Sequence, residues 1–120
     1  MITKAFRVDR SDEAVVIELA TGVDSLSDTA VLDEFAEFVA DLKHSPKTNV
    51  VFDFRNLPYF GSMVLETLRG VWNEIKDSGG KMALCNLSDV GSEVLQVARF
   101  DNIWSLHKTR DEALQAVSGS

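Results

Sequence analysis

At 120 residues, with 45% hydrophobic and 26% charged side chains, the chain has the bulk make-up of one ordinary globular domain, 1–120, which excludes a fibrous repeat or a disordered tail. Its formal net charge of -7 makes a surface that repels phosphate backbones and acidic lipid heads, so neither nucleic acid nor a membrane is an expected partner. A single cysteine, Cys85, excludes an internal disulfide framework and fits a reducing compartment.

The opening stretch "MITKAFRVDRSDE" has no apolar h-region and no later run approaches the roughly 18 apolar residues of a membrane helix, so a cytoplasmic protein is expected. Two strand-like runs come first, Phe6 to Asp9 and Glu13 to Ala20, joined by the polar turn "RSDE" as in a hairpin. After "TGVDSLSD", with Ser27 or Asp28 as N-cap, Val31, Leu32, Phe35, Val39 and Leu42 recur at helical spacing. The acidic Asp33, Glu34, Glu37 and Asp41 of this first predicted helix read as its solvated side.

"NVVFDF", Asn49 to Phe54, is rich in β-branched and aromatic side chains with little alternation, the pattern of a strand covered on both faces. From Ser62 to Asp77 a second helix carries Val64, Leu68, Val71, Trp72 and Ile75 and stops at Ser78, Gly79 and Gly80. Gly70 inside it costs about 1 kcal/mol relative to alanine, for which close packing is the expected reason. "KMALCNL", residues 81 to 87, is a further buried strand. Ser88 or Asp89 caps a third predicted helix with Val90, Val94, Val97 and Ala98 as its apolar residues, and "NIWSL" supplies a last strand. Thr109 and Glu112 form a capping box ahead of Ala113, Leu114, Ala116 and Val117.

The resulting order, β-β-α-β-α-β-α-β-α with short connections, is that of an α/β fold: a mixed, mostly parallel sheet of four to five strands with four helices. Its chemistry is sparse. His44 and His107 lie in separate connections without the spacing of a zinc site, and no GxSxG, Walker A or GxGxxG string occurs. Cys85 in its strand reads as a buried, inert thiol. No catalytic residue, metal or cofactor is expected.

Ser62 stands out by position, because the loop after a parallel strand, at the start of the next helix, is where open α/β sheets place ligands. Two readings remain open there. A serine is a favoured helix cap, worth about 1 kcal/mol. A phosphate on the same hydroxyl would add about -1.5 to -2 charges beside free N–H groups and the positive end of a helix dipole, which tolerate it without loss of the fold. Gly61 permits a sharp turn before the helix. Tyr59, Phe60 and Met63 are either packing residues or an adaptable apolar rim for a partner.

The run from "NVVFDFRNLPYFGSMVLETLRG" through "GGKMALCNLSDVGSEVLQVARFDNIW" to the last helix resembles the STAS domain of bacterial anti-sigma factor antagonists, and the likeness takes in the two opening strands. In that family a strand with an Asp leads to a loop reading Asp-Ser-Ser/Thr-Gly-Leu and then a helix. Asp53 matches the strand Asp and Ser62 matches the phosphorylated hydroxyl residue, while Phe60, Gly61 and Met63 stand where the family has its loop Asp, first Ser and Gly. The resemblance implies a non-enzymatic switch that binds an anti-sigma factor, itself a serine kinase, and is turned off when Ser62 is phosphorylated. It makes Asp53, Asn56, Tyr59, Phe60, Gly61, Ser62 and Met63 the expected partner-binding set, on a monomer or weak homodimer. Two alternatives stand beside it: a STAS scaffold that binds without phosphorylation, and a receiver domain phosphorylated on Asp53. The receiver reading lacks an acidic pair after "VVIELA", and Lys108 is a poor match for the lysine it requires.

Overall fold

The computed structural model describes residues 6–10, 14–19, 37, 49–55 and 62–118. Five strands form one sheet in sequential order: β1 (Phe6–Arg10), β2 (Val15–Leu19), β3 (Val50–Asp53), β4 (Met82–Cys85) and β5 (Ser105–His107). β1 and β2 pair antiparallel, with Val8 opposite Ile17, and the remaining neighbours are parallel. Three described helices follow strands: α1 (Ser62–Ile75), α2 (Asp89–Val97) and α3 (Arg110–Ser118). The first predicted helix lies outside the described residues apart from Glu37, which is helical and exposed.

The run "VVFD" is buried at all four positions because helices cover both faces of the sheet. Successive side chains of a strand point to opposite sides. Val50 and Phe52, with Val15, Ile17, Met82 and Leu84, therefore meet Val64, Leu68, Val71 and Ile75 of α1 and Leu95 of α2. Val51, with Ala14, Val16, Ala83 and Cys85, meets Ala113 and Val117 of α3. The α3 layer is made of small side chains, so that helix can lie close to the sheet.

The helix ends follow local chemistry. A 3-10 turn, Lys76–Ser78, ends α1 at Gly79, whose φ of 87° is the left-handed conformation that glycine adopts without strain, and the Gly80 N–H donates to the Ile75 carbonyl at 3.0 Å. Ser88 caps α2, its Oγ accepting from the Gly91 N–H at 3.0 Å. At α3 the Thr109 Oγ1 accepts from the Glu112 N–H at 3.1 Å, and the Glu112 carboxylate reaches back to the Lys108 N–H at 3.2 Å, one residue ahead of the cap position.

Three expectations change. The last strand is Ser105–His107; the preceding Phe100–Asn102 form a 3-10 turn that seats the buried Trp104 against Phe100, ring centroids 4.8 Å apart. Gly70 is exposed and an added Cβ would meet nothing within 4 Å, so close packing does not account for it. Gly91 and Leu95 form the buried side of α2, whereas Val90 and Val97 are 47% and 79% exposed.

Candidate functional site

The C-terminal edge of the parallel strands carries the junction singled out by the sequence. β3 ends on Asp53, Phe54 and Arg55 follow, and α1 opens on Ser62. Asn56, Tyr59, Phe60 and Gly61 lie outside the described residues, and for Ser62 and Met63 the description is limited to their place in the first turn of α1. The helix begins on Ser62 itself. In α2, by contrast, a serine stands one position ahead of the helix and caps it. No acidic side chain occupies the first turn of α1, so its positive dipole end is not offset by the helix's own carboxylates.

Beside the junction, on the α3 side of the sheet, sits a polar cluster centred on Asp53. The alternation of each strand brings Asp9, Glu18 and Asp53 to that side, and the parallel register sets Glu18 directly across from Asp53. Two adjacent carboxylates repel, and Arg110, the first residue of α3, resolves the conflict. Its Nη2 donates to Glu18 at 2.8 Å and to Asp53 at 2.9 Å, its Nε donates to Asp53 at 3.1 Å, and its Nη1 donates to Asp9 at 3.3 Å. A cation at a helix N-terminus opposes the dipole, and three carboxylates offset that cost.

Asp53 is 0% exposed and its oxygens are fully engaged. Besides Arg110 they accept the Arg55 backbone N–H at 2.9 Å and the Asn86 side-chain amide at 3.0 Å. Asn86 takes a left-handed φ of 57° just after β4, a conformation that asparagine tolerates, and so aims its amide at Asp53. Burial by itself would raise the Asp53 pKa. The bonds from Asn86, the Arg55 N–H and Arg110, with the Arg110 charge, outweigh it and hold the carboxyl below its ordinary value. A partner would meet Asp53 only through the residues that enclose it. With both Asp53 oxygens buried and hydrogen-bonded, neither has a lone pair free to attack a phosphorus atom, which counts against the receiver reading.

An open cleft of about 470 Å³ lies over this cluster, lined by Asp9, Glu18, Arg55, Asn86, Thr109, Arg110 and Asp111. Its guanidinium groups face carboxylates, so it presents little unneutralised charge to an anion. Among the described residues no group of three His, Cys, Asp or Glu side chains is arranged to hold a metal ion. Cys85 is fully buried, and burial together with the Asp53 charge pushes its thiol up to about 12, which keeps it protonated and unreactive as its strand position predicts. His107 lies in β5 with Nε2 2.9 Å from the Ser105 Oγ; His44 lies outside the described residues.

Sequence reading identified Asp53 and missed Glu18, Asn86 and Arg110. One signal was present: an arginine immediately after a capping threonine is electrostatically misplaced unless carboxylates surround it. Which carboxylates do so depends on strand register.

A family model described as STAS domain matches residues 5–113. Among solved structures, an anti-sigma factor antagonist (STAS) domain protein from Planctomyces limnophilus is similar at 29% identity, with 93% of this chain and 97% of that chain covered and a TM-score of 0.76. The anti-sigma factor antagonist SpoIIAA in its unphosphorylated form is similar at 25% identity, with 97% and 98% covered and a TM-score of 0.78. The phosphorylated form of SpoIIAA, a Bacillus cell fate determinant, shares the fold at 21% identity, with 94% and 99% covered and a TM-score of 0.71. A search of curated proteins gives no significant match. No described helix is long and apolar enough to cross a membrane.

Proposed function

This chain belongs to the STAS domain family, and from that premise we propose that it is an anti-sigma factor antagonist that docks on an anti-sigma factor through the β3–α1 junction and is released when that partner, a serine kinase, phosphorylates Ser62. The observation that carries the proposal is the place of Ser62: it opens a 14-residue helix directly after the strand-end loop, in a fold shared with SpoIIAA in both its unphosphorylated and phosphorylated forms. A phosphate at that position lies at the positive end of the helix dipole and leaves the helix intact. In a docked interface the same dianion must lose its water against a close-fitting surface, and the complex dissociates. Asp53 contributes by position, tying the end of β3 to Arg110 and Asn86 so that the loop leaves the sheet from a fixed point. Partner contact falls to Asn56, Tyr59, Phe60, Gly61, Ser62 and Met63.

The departures at Phe60, Gly61 and Met63 favour a second reading, a STAS scaffold that binds through the same junction without being phosphorylated. Incubation with each anti-sigma kinase of the source organism and ATP, followed by intact-mass measurement, separates the two. The switch predicts one added phosphate, absent in Ser62→Ala, with Ser62→Ala retaining the partner and Ser62→Asp losing it. Retained binding with no added phosphate assigns the scaffold. Equal binding by both variants places Ser62 outside the interface and overturns the proposal.

A further inference from the structure

Val90, Val94 and Val97 recur at helical spacing along α2; Val90 and Val97 are exposed on the side away from Gly91 and Leu95, and Val94, half-buried, lies between the two sides. Two of the three large apolar side chains noted as exposed among the described residues, Val90 and Val97, stand on this face. With Leu65 of α1 and Ala98 they line an open groove of about 400 Å³, in which Glu93 is the one charged side chain. An apolar stripe that the core does not use is a surface for something else.

The charges around the groove say what that is. Glu93 in its wall and Asp89 at the start of the same helix make no ion pair with any described residue, and Glu66, next to Leu65, is exposed and shared only with Arg69 at 3.3 Å. A second copy of this chain, also at net charge -7, or an anionic lipid surface would bring like charge against these carboxylates. We infer that the α1–α2 groove of Leu65, Val90, Glu93, Val94, Val97 and Ala98 docks a basic amphipathic helix of a partner protein, its aliphatic ridge between the two helices and its Lys or Arg side chains against Glu93 and Asp89. Leu65 lies one turn from Ser62 on α1, so the groove extends the junction surface. Naming the anti-sigma factor as the owner of that helix rests on the function proposed above; the charge and shape preference of the groove does not.

The test uses a synthetic helical peptide of Leu, Ala and Lys, with Leu at heptad spacing and Lys flanking it, titrated into the isotopically labelled full chain while amide shifts are followed. Shifts are expected to gather on Leu65 and on residues 90–98. Val97→Asp is expected to weaken binding by about tenfold or more, since it places a charge in the apolar seat at a position too exposed to disturb folding. Glu93→Lys is expected to weaken it as well, and a matched peptide with Glu for Lys should not bind the wild type. The inference is overturned by absent binding of the Lys peptide, by shifts spread over other acidic surface, or by an unchanged affinity of Val97→Asp. A concentration-dependent dimer in sedimentation that Val97→Asp abolishes overturns it too, assigning the groove to self-association. No anti-sigma factor enters these measurements, so their failure is distinct from failure of the Ser62 switch.

Discussion

Helices α1 and α2 are both amphipathic, and the fold treats them differently. In α1 the whole stripe of Val64, Leu68, Val71 and Ile75 is 0% exposed, pressed onto the large side chains of the sheet. In α2 a glycine and a leucine meet the core, and Val90 and Val97 face outward. Apolar residues at helical spacing identify a helix; they do not say whether the sheet or a partner receives the face. α1 is an element of stability, and α2 offers surface.

Substitutions sharpen this contrast, and the largest effect belongs to α1. Leu68→Ala removes a fully buried side chain and should cost about 2–5 kcal/mol in urea unfolding; a loss below about 1 kcal/mol would mean that the stripe is not the core contact described. Next comes the polar cluster. Asp53→Asn turns an amide N–H toward donors of Asn86 and Arg110 and should cost roughly 1–3 kcal/mol at neutral pH. Because the folded-state pKa of Asp53 is depressed, its stabilising contribution is present above the unfolded value of about 3.9 and is lost as pH falls through the lower folded value. The gap between wild type and Asp53→Asn in unfolding free energy should therefore narrow on acidification below about pH 4. A gap that does not change with pH would show that the carboxylate's charge is not what the cluster uses.

Gly70→Ala, on the exposed side of α1 with open space around it, should raise stability by up to about 1 kcal/mol, visible as a higher urea midpoint at unchanged slope. Smallest is Val97→Asp on α2, expected to stay within about 0.5 kcal/mol of wild type. A large loss there would place Val97 in the core and erase the difference between the two helices.

The candidate site was unevenly legible. The position of Ser62 followed from a strand pattern, a glycine and a helical repeat within one stretch, all local signals. Asp53 was visible as a strand-terminal acid, but its burial was not. It depends on Glu18, 35 positions earlier and directly across in the parallel register, and on Arg110, 57 positions later. Nothing in the residues around Asp53 distinguishes an exposed acid that meets a partner from one enclosed by a distant guanidinium.

Among the described residues the sequence by itself determined the element types, the two-sided burial of β3, the burial of β4, the glycine stop after α1 and the cap at Thr109, and it narrowed the cap of α2 to Ser88 or Asp89. These depend on backbone preferences and side-chain periodicity within a few residues, where chain connectivity supplies the geometry. Only the tertiary structure decided that Asp53 is interior, that Arg110 joins three strands to α3, that Gly70 has open space, that Ser88 and not Asp89 caps α2, and that Val90 and Val97 face outward. Those outcomes depend on which segments become neighbours across the sheet, and helical or strand periodicity fixes the relative direction of side chains without naming the surface they meet.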